Sequence, residues 1–98
     1  MKKYEVTDVQ KKGNIERVEF QNGKYIVHVP KEANLEIKKK FSIMVSETEH
    51  ELPSKSIVQL LGSVIRKNSN FSLVSAGGLL CQIPEKLEID TSVYIVIF

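Results

Sequence analysis

Ile15-Glu16-Arg17-Val18-Glu19-Phe20-Gln21-Asn22-Gly23-Lys24-Tyr25-Ile26-Val27-His28-Val29 is the stretch whose reading decides the fold. Asn-Gly between two alternating segments favours a two-residue type I′ hairpin, because both central residues must take positive φ. That turn sets the register. Phe20 then faces Tyr25 and Val18 faces Val27 on one side, while Arg17 faces His28 and Glu19 faces Ile26 on the other. The apolar pairs fall on one face without adjustment, as a half-buried antiparallel sheet requires.

Working outward, Tyr4, Val6 and Val9 begin a first strand that Lys11-Lys12-Gly13-Asn14 ends with turn chemistry. Pro30 stops the second arm of the hairpin. The segment from Lys31 to Lys40 reads as either an alternating strand or a short helical turn after the proline. Phe41, Ile43 and Val45 alternate with Ser42, Met44 and Ser46 as another strand, and the acidic, proline-broken run from Glu47 to Lys55 reads as an exposed loop. From Ser56 to Lys67 a long strand carries Val58, Leu60 and Val64 on one parity and Ile57, Leu61 and Ile65 on the other. That pattern predicts a central strand bent at Gly62.

Phe71 to Ile83 then supplies two strand halves around Gly77-Gly78. Pro84 to Asp90 is a connection with room for one helical turn, and Ser92 to Phe98 closes the chain as a strand apolar enough to need cover on both faces. About seven short strands with little helix predict an all-β chain, folded as one domain over residues 1–98. Closure into a small antiparallel barrel of OB-fold type would remove aggregation-prone edges.

Composition narrows the function classes. Ninety-eight residues at 42% hydrophobic content support one core, and a net charge of +2 neither requires nor excludes nucleic acid. The single cysteine, Cys81, cannot close an internal disulfide. The lack of an apolar leader or a membrane-length run predicts a soluble intracellular protein. Cys81 with His28 or His50 is the one nucleophile–base combination the chain offers, but Cys81 sits in an apolar strand, where a thiol behaves as a small hydrophobe. Two separated histidines and one cysteine lack metal-ligand spacing, so neither a cofactor nor a metal is expected. Glu47, Glu49 and Glu51 read as a solvated loop rather than a cation site. Lys38, Lys39 and Lys40 are the candidate nucleic-acid contacts; Phe20 and Tyr25 lie on the face expected to be buried, which leaves few rings for base stacking.

Ser75-Ala76-Gly77-Gly78-Leu79-Leu80, followed by Asp90-Thr91-Ser92-Val93-Tyr94-Ile95-Val96, resembles the end of one small RNA polymerase subunit. That family is the eighth, OB-fold subunit common to the eukaryotic nuclear polymerases, with a shorter archaeal counterpart. Ile57 to Ile65 is similar to the family's long strand before its last hairpin, and Asn14 to Val29 to its first hairpin. Eukaryotic members carry an acidic insertion where this chain has only Glu47 to Lys55, so the compact form looks archaeal. Ala76 stands in place of a typical aromatic, and Cys81 where methionine is common. The resemblance implies a non-catalytic subunit of DNA-directed RNA polymerase, docked on the largest subunit through Gly77, Gly78, Leu79 and Leu80. It implies weak or indirect nucleic-acid contact, no membrane and no small-molecule substrate. It places an archaeal member in the cytoplasm and a eukaryotic one in the nucleus. The alternative is a free-standing OB module binding single-stranded nucleic acid.

Overall fold

The computed structural model describes residues 2–88 and 91–98. Nine strands run through them: β1 (Tyr4–Lys12), β2 (Ile15–Phe20), β3 (Tyr25–Pro30), β4 (Lys40–Phe41), β5 (Ile43–Ser46), β6 (Val58–Lys67), β7 (Ser72–Ala76), β8 (Leu79–Ile83) and β9 (Ser92–Ile97). They form one sheet in the order β4-β1-β2-β3-β8-β7-β6-β9-β5. The two ends of that order are consecutive pieces of chain, β4 and β5, divided only by Ser42. Ser42 exchanges backbone hydrogen bonds with Phe98 at 2.7 and 3.0 Å. One bent segment therefore pairs with β1 on one side and β9 on the other, and the sheet closes on itself. The fold is an all-β antiparallel barrel, nearly closed and OB-like, with more strands than the five of a minimal OB fold.

The hairpin register is as its sequence requires, with Phe20 opposite Tyr25, Val18 opposite Val27, Arg17 opposite His28 and Glu19 opposite Ile26. Asn22 and Gly23 take the positive φ expected, 57° and 92°, and Lys24 N–H bonds the Gln21 carbonyl at 3.3 Å, but Gln21 is left-handed too (φ 51°), so the loop between Phe20 and Tyr25 has four residues rather than two. Gly77 and Gly78, at φ 58° and 91°, make the two-residue turn between β7 and β8, where Ala76 pairs directly with Leu79.

Inward-facing residues of every long strand fill the core: Val6, Val18, Phe20, Val27, Val29, Val58, Val74, Cys81, Ile83, Val93, Ile95 and Ile97 are all buried. Gly62 faces the same way for a steric reason. A Cβ there would stand 2.6 Å from the Ser75 carbonyl oxygen and 2.8 Å from Val74 Cγ1. Absence of a side chain lets β6 close against β7 where the sheet curls.

Three connections settle open readings. Lys31–Ala33 is a single 3₁₀ turn, and the chain then runs irregularly to Lys40, with Asn34 and Lys38 in left-handed conformations. The stretch is thus neither a full strand nor an α-helix. No helical turn forms in residues 84–88. Buried Ser72 instead donates to the Glu85 carbonyl and accepts from Leu87 N–H, both at 2.8 Å, which anchors Leu87 in the core. Asp90, the first residue of the expected closing motif, lies outside the described residues. The acidic loop is exposed as expected, and buried Ser46 ties it down: Ser46 Oγ lies 2.8 Å from the Thr48 carbonyl and 3.0 Å from Glu51 Oε2.

Candidate functional site

The face that matters is the outer wall of β6, β7 and β8. Ser63 pairs with Ser75, and Ser75 with Leu80, so these residues form one row across three strands. Two residues before Ser63 along β6 comes Leu61, and two residues after Ser75 along β7 comes Gly77. Extension of the register therefore brings Leu61 to the Gly77-Gly78 turn. Leu61 is 54% exposed, and Ile65, two residues on the other side of Ser63, is 56% exposed at a break in the β6–β7 register. Leu73, Leu80 and Tyr94 are half-buried beside them. The strand is central in the sheet, paired with β7 and β9, yet no described residue covers its outer side at Leu61 and Ile65.

Both glycines of the turn are explained locally, because their φ values are those a type I′ turn demands. A Cβ on either would meet nothing within 4 Å among the described residues. Leu79 shares the inward parity of Cys81 and Ile83, while Leu80 points outward; both are half-buried. Thus Gly77, Gly78 and Leu80 belong with Leu61 to one continuous surface, and Leu79 sits at its barrel-side rim.

Leu80 N–H donates to His28 Nδ1 at 3.2 Å. The side chain of His28 thereby extends the β3–β8 pairing, whose backbone partners end at Val27 and Cys81. Burial, then the charges of Lys12 and Arg17, holds the His28 pKa below its ordinary value, consistent with a neutral ring accepting at Nδ1. Cys81 lies behind it with no exposed surface, and burial pushes its thiol up to about 12. A thiolate is disfavoured there, so Cys81 and His28, though near each other, do not make an activated nucleophile. No cluster of His, Cys, Asp and Glu among the described residues could hold a metal ion, the Glu47–Glu51 loop included.

Lys38, Lys39 and Lys40 are all exposed, each in a different local setting. Lys38 is at φ 75°, Lys39 makes an exposed ion pair with Glu36 at 3.7 Å, and Lys40 lies opposite Glu5 across β4 and β1. Aromatic residues gather elsewhere. Tyr4 and Tyr25 stand with ring centroids 4.7 Å apart, and the ammonium groups of Lys2 and Lys24 sit 5.5 and 5.9 Å from the Tyr4 ring. Burial first, and then the hydrogen bond with Tyr4, raises the Tyr25 pKa. Tyr25 is half-buried rather than core, because its register position is the last before the turn; only Phe20, opposite it, is enclosed. The sequence signal for this cluster was a lysine near each tyrosine, Lys2 two residues before Tyr4 and Lys24 beside Tyr25.

The chain matches no protein-family model and no curated protein. Among the described residues, no helix is long and apolar enough to cross a membrane.

Proposed function

We propose that this chain is a non-catalytic subunit of a multisubunit DNA-directed RNA polymerase, docked on the largest subunit through its β6–β8 outer wall. The observation that carries the docking half is the exposed pair Leu61 and Ile65 beside the Gly77-Gly78 turn. Isolated exposed apolar residues are ordinary, but two on one strand, flanked by Leu73, Leu80 and Tyr94, make a contiguous patch of the kind protein interfaces use. The polymerase half rests on the resemblance of Ser75–Leu80 and the closing strand. Such a subunit works where transcription does, in the cytoplasm of an archaeon or the nucleus of a eukaryote. Purification of the native chain at high salt tests the reading. The large polymerase subunits should elute with it, and their absence overturns the proposal.

A second reading, single-stranded nucleic-acid binding, is favoured by one observation, the Tyr4–Tyr25 pair under Lys2 and Lys24. Its contacts would be those residues rather than Lys38 to Lys40. Binding of an oligonucleotide by the isolated chain, falling steeply with salt and lost in Tyr4→Ala, would support it. Absence of binding at low salt removes it.

A further inference from the structure

β6 changes neighbours half-way along. β9 pairs with it from Val58–Ile97 to Ser63–Ser92, but β7 only from Ser63–Ser75 to Lys67–Ser72. Before Ser63, the edge that β7 later occupies has no strand against it among the described residues. β3 does not fill the space either. Its pairing with β8 ends at Val27–Cys81, and Leu80 N–H goes to the His28 ring. Alternation along the ladder says which groups are left. Val64 N–H points to β9, on the Thr91 carbonyl at 3.5 Å, so Gln59 and Leu61, of opposite parity, turn their N–H and C=O groups to the open edge. Such an edge is a template for another extended chain.

The open edge is recessed. A cleft of about 270 Å³ lies along it, walled by Pro30, Glu32 and Ala33 on one side and by Val58, Gln59 and Leu60 on the other. Pro30 has no N–H to offer, so the backbone pairing has to come from β6. Two facing walls admit a single extended segment and exclude the broad edge of a second barrel. Strand alternation then sets the segment's side chains. Those turned inward would meet Leu60 and Ala33, both packed against the core, and those turned outward would lie beside Leu61. A segment apolar on both faces, rich in β-branched or aromatic residues, suits that setting.

We propose that the open edge of β6 receives an extended segment of a partner polypeptide as an added strand, paired through the backbone of Gln59 and Leu61. The inference rests on the reading that β6 docks a larger protein, but not on that protein being a polymerase. It differs from docking on the outer wall alone in one measurable respect. A partner resting on the wall covers the Leu61 side chain and leaves these amides to water, whereas an added strand occupies the amides themselves.

The test is hydrogen exchange resolved to single amides, on the full chain alone and in the assembly purified from its host. In the free chain Gln59 and Leu61 should exchange fast, while Leu60 and Gly62, which face β9, exchange slowly. In the assembly Gln59 and Leu61 should slow by about a hundredfold or more. Amides already slow in the free chain overturn the proposal, and so do amides that stay fast in the assembly. If they stay fast while the Leu61 side chain is shielded, the docking reading survives and strand addition alone fails. A chain that purifies without any partner overturns both. Slowed amides in an assembly that lacks polymerase subunits support strand addition and overturn the polymerase reading. Gln59→Pro removes one donor at a position where its N–H faces the open edge, which an edge strand tolerates. The folded variant should be retained in the assembly about tenfold less well, and undiminished retention overturns the proposal. The exchange measurement on the unaltered chain does not depend on how that variant folds.

Discussion

β6 and β9 lie side by side in the barrel, paired from Val58–Ile97 to Ser63–Ser92, and both are apolar on both faces. Their inner faces behave alike: Val58, Val93, Ile95 and Ile97 are buried in one cluster. Their outer faces do not. Val96, on the outward parity of β9, is fully buried, whereas Leu61 and Ile65 on β6 are more than half exposed. Periodicity alone predicts cover for both strands, and only β9 obtains it. An apolar residue on an outer face thus has two meanings, and what separates them is whether the same chain supplies a lid. Where it does, the residue serves stability; where it does not, the side chain is available to another molecule.

The largest expected effect is on the inner side. Ile95→Ala should cost about 3–4 kcal/mol in urea unfolding, and Leu61→Ala no more than about 0.5 kcal/mol. Comparable costs for both would break the contrast. Gly62→Val comes next, at about 3 kcal/mol, because its new atoms would collide with β7 backbone that cannot move without opening the barrel. The outer faces give a sharper pair. Val96→Thr should cost about 1–2 kcal/mol by burying a hydroxyl, while Leu61→Thr leaves stability nearly unchanged.

The same inside–outside contrast reaches two titratable groups on neighbouring strands. Cys81 has its thiol pKa raised by burial, so the neutral form is favoured by folding. Its contribution is intact below the unfolded thiol pKa of 9.0 and is lost as pH rises toward about 12. The slope is at most ~1.4 kcal/mol per pH unit. Denaturation midpoints should therefore fall above pH 9, and the thiol of the native protein should resist alkylation at pH 8. His28, with its pKa lowered by burial and then by Lys12 and Arg17, works in the other direction. Its contribution is present above 6.5 and fades as pH falls below that value. His28→Gln, which keeps an acceptor for Leu80 N–H, should flatten that acid limb slightly; an unchanged limb would show that His28 is not its source.

Much of this was legible in the sequence. Asn22-Gly23 specified both the turn and its register, and the Gly77-Gly78 hairpin follows the same rule. Local chemistry decides these features, so local reading finds them. Closure at Ser42 was not legible, because it depends on Phe98, far along the chain, meeting a strand that otherwise alternates without a break. Exposure of Leu61 and Ile65 was missed because alternation counts apolar residues and not the elements that cover them. The Gly77–Leu80 motif was found by resemblance, whereas the larger surface to which it belongs came from strand register.

The central claim is that the outer wall of β6, together with the Gly77-Gly78 turn, is covered in the protein's working state by a larger neighbour. Side-chain carbene footprinting of the chain, alone and in the assembly purified from its host, measures this directly. Labelling of Leu61, Ile65 and Leu80 should be strong in the free chain and fall sharply in the assembly, while Ile57 and Lys39 change little. Equal labelling of Leu61 and Ile65 in both states would contradict it.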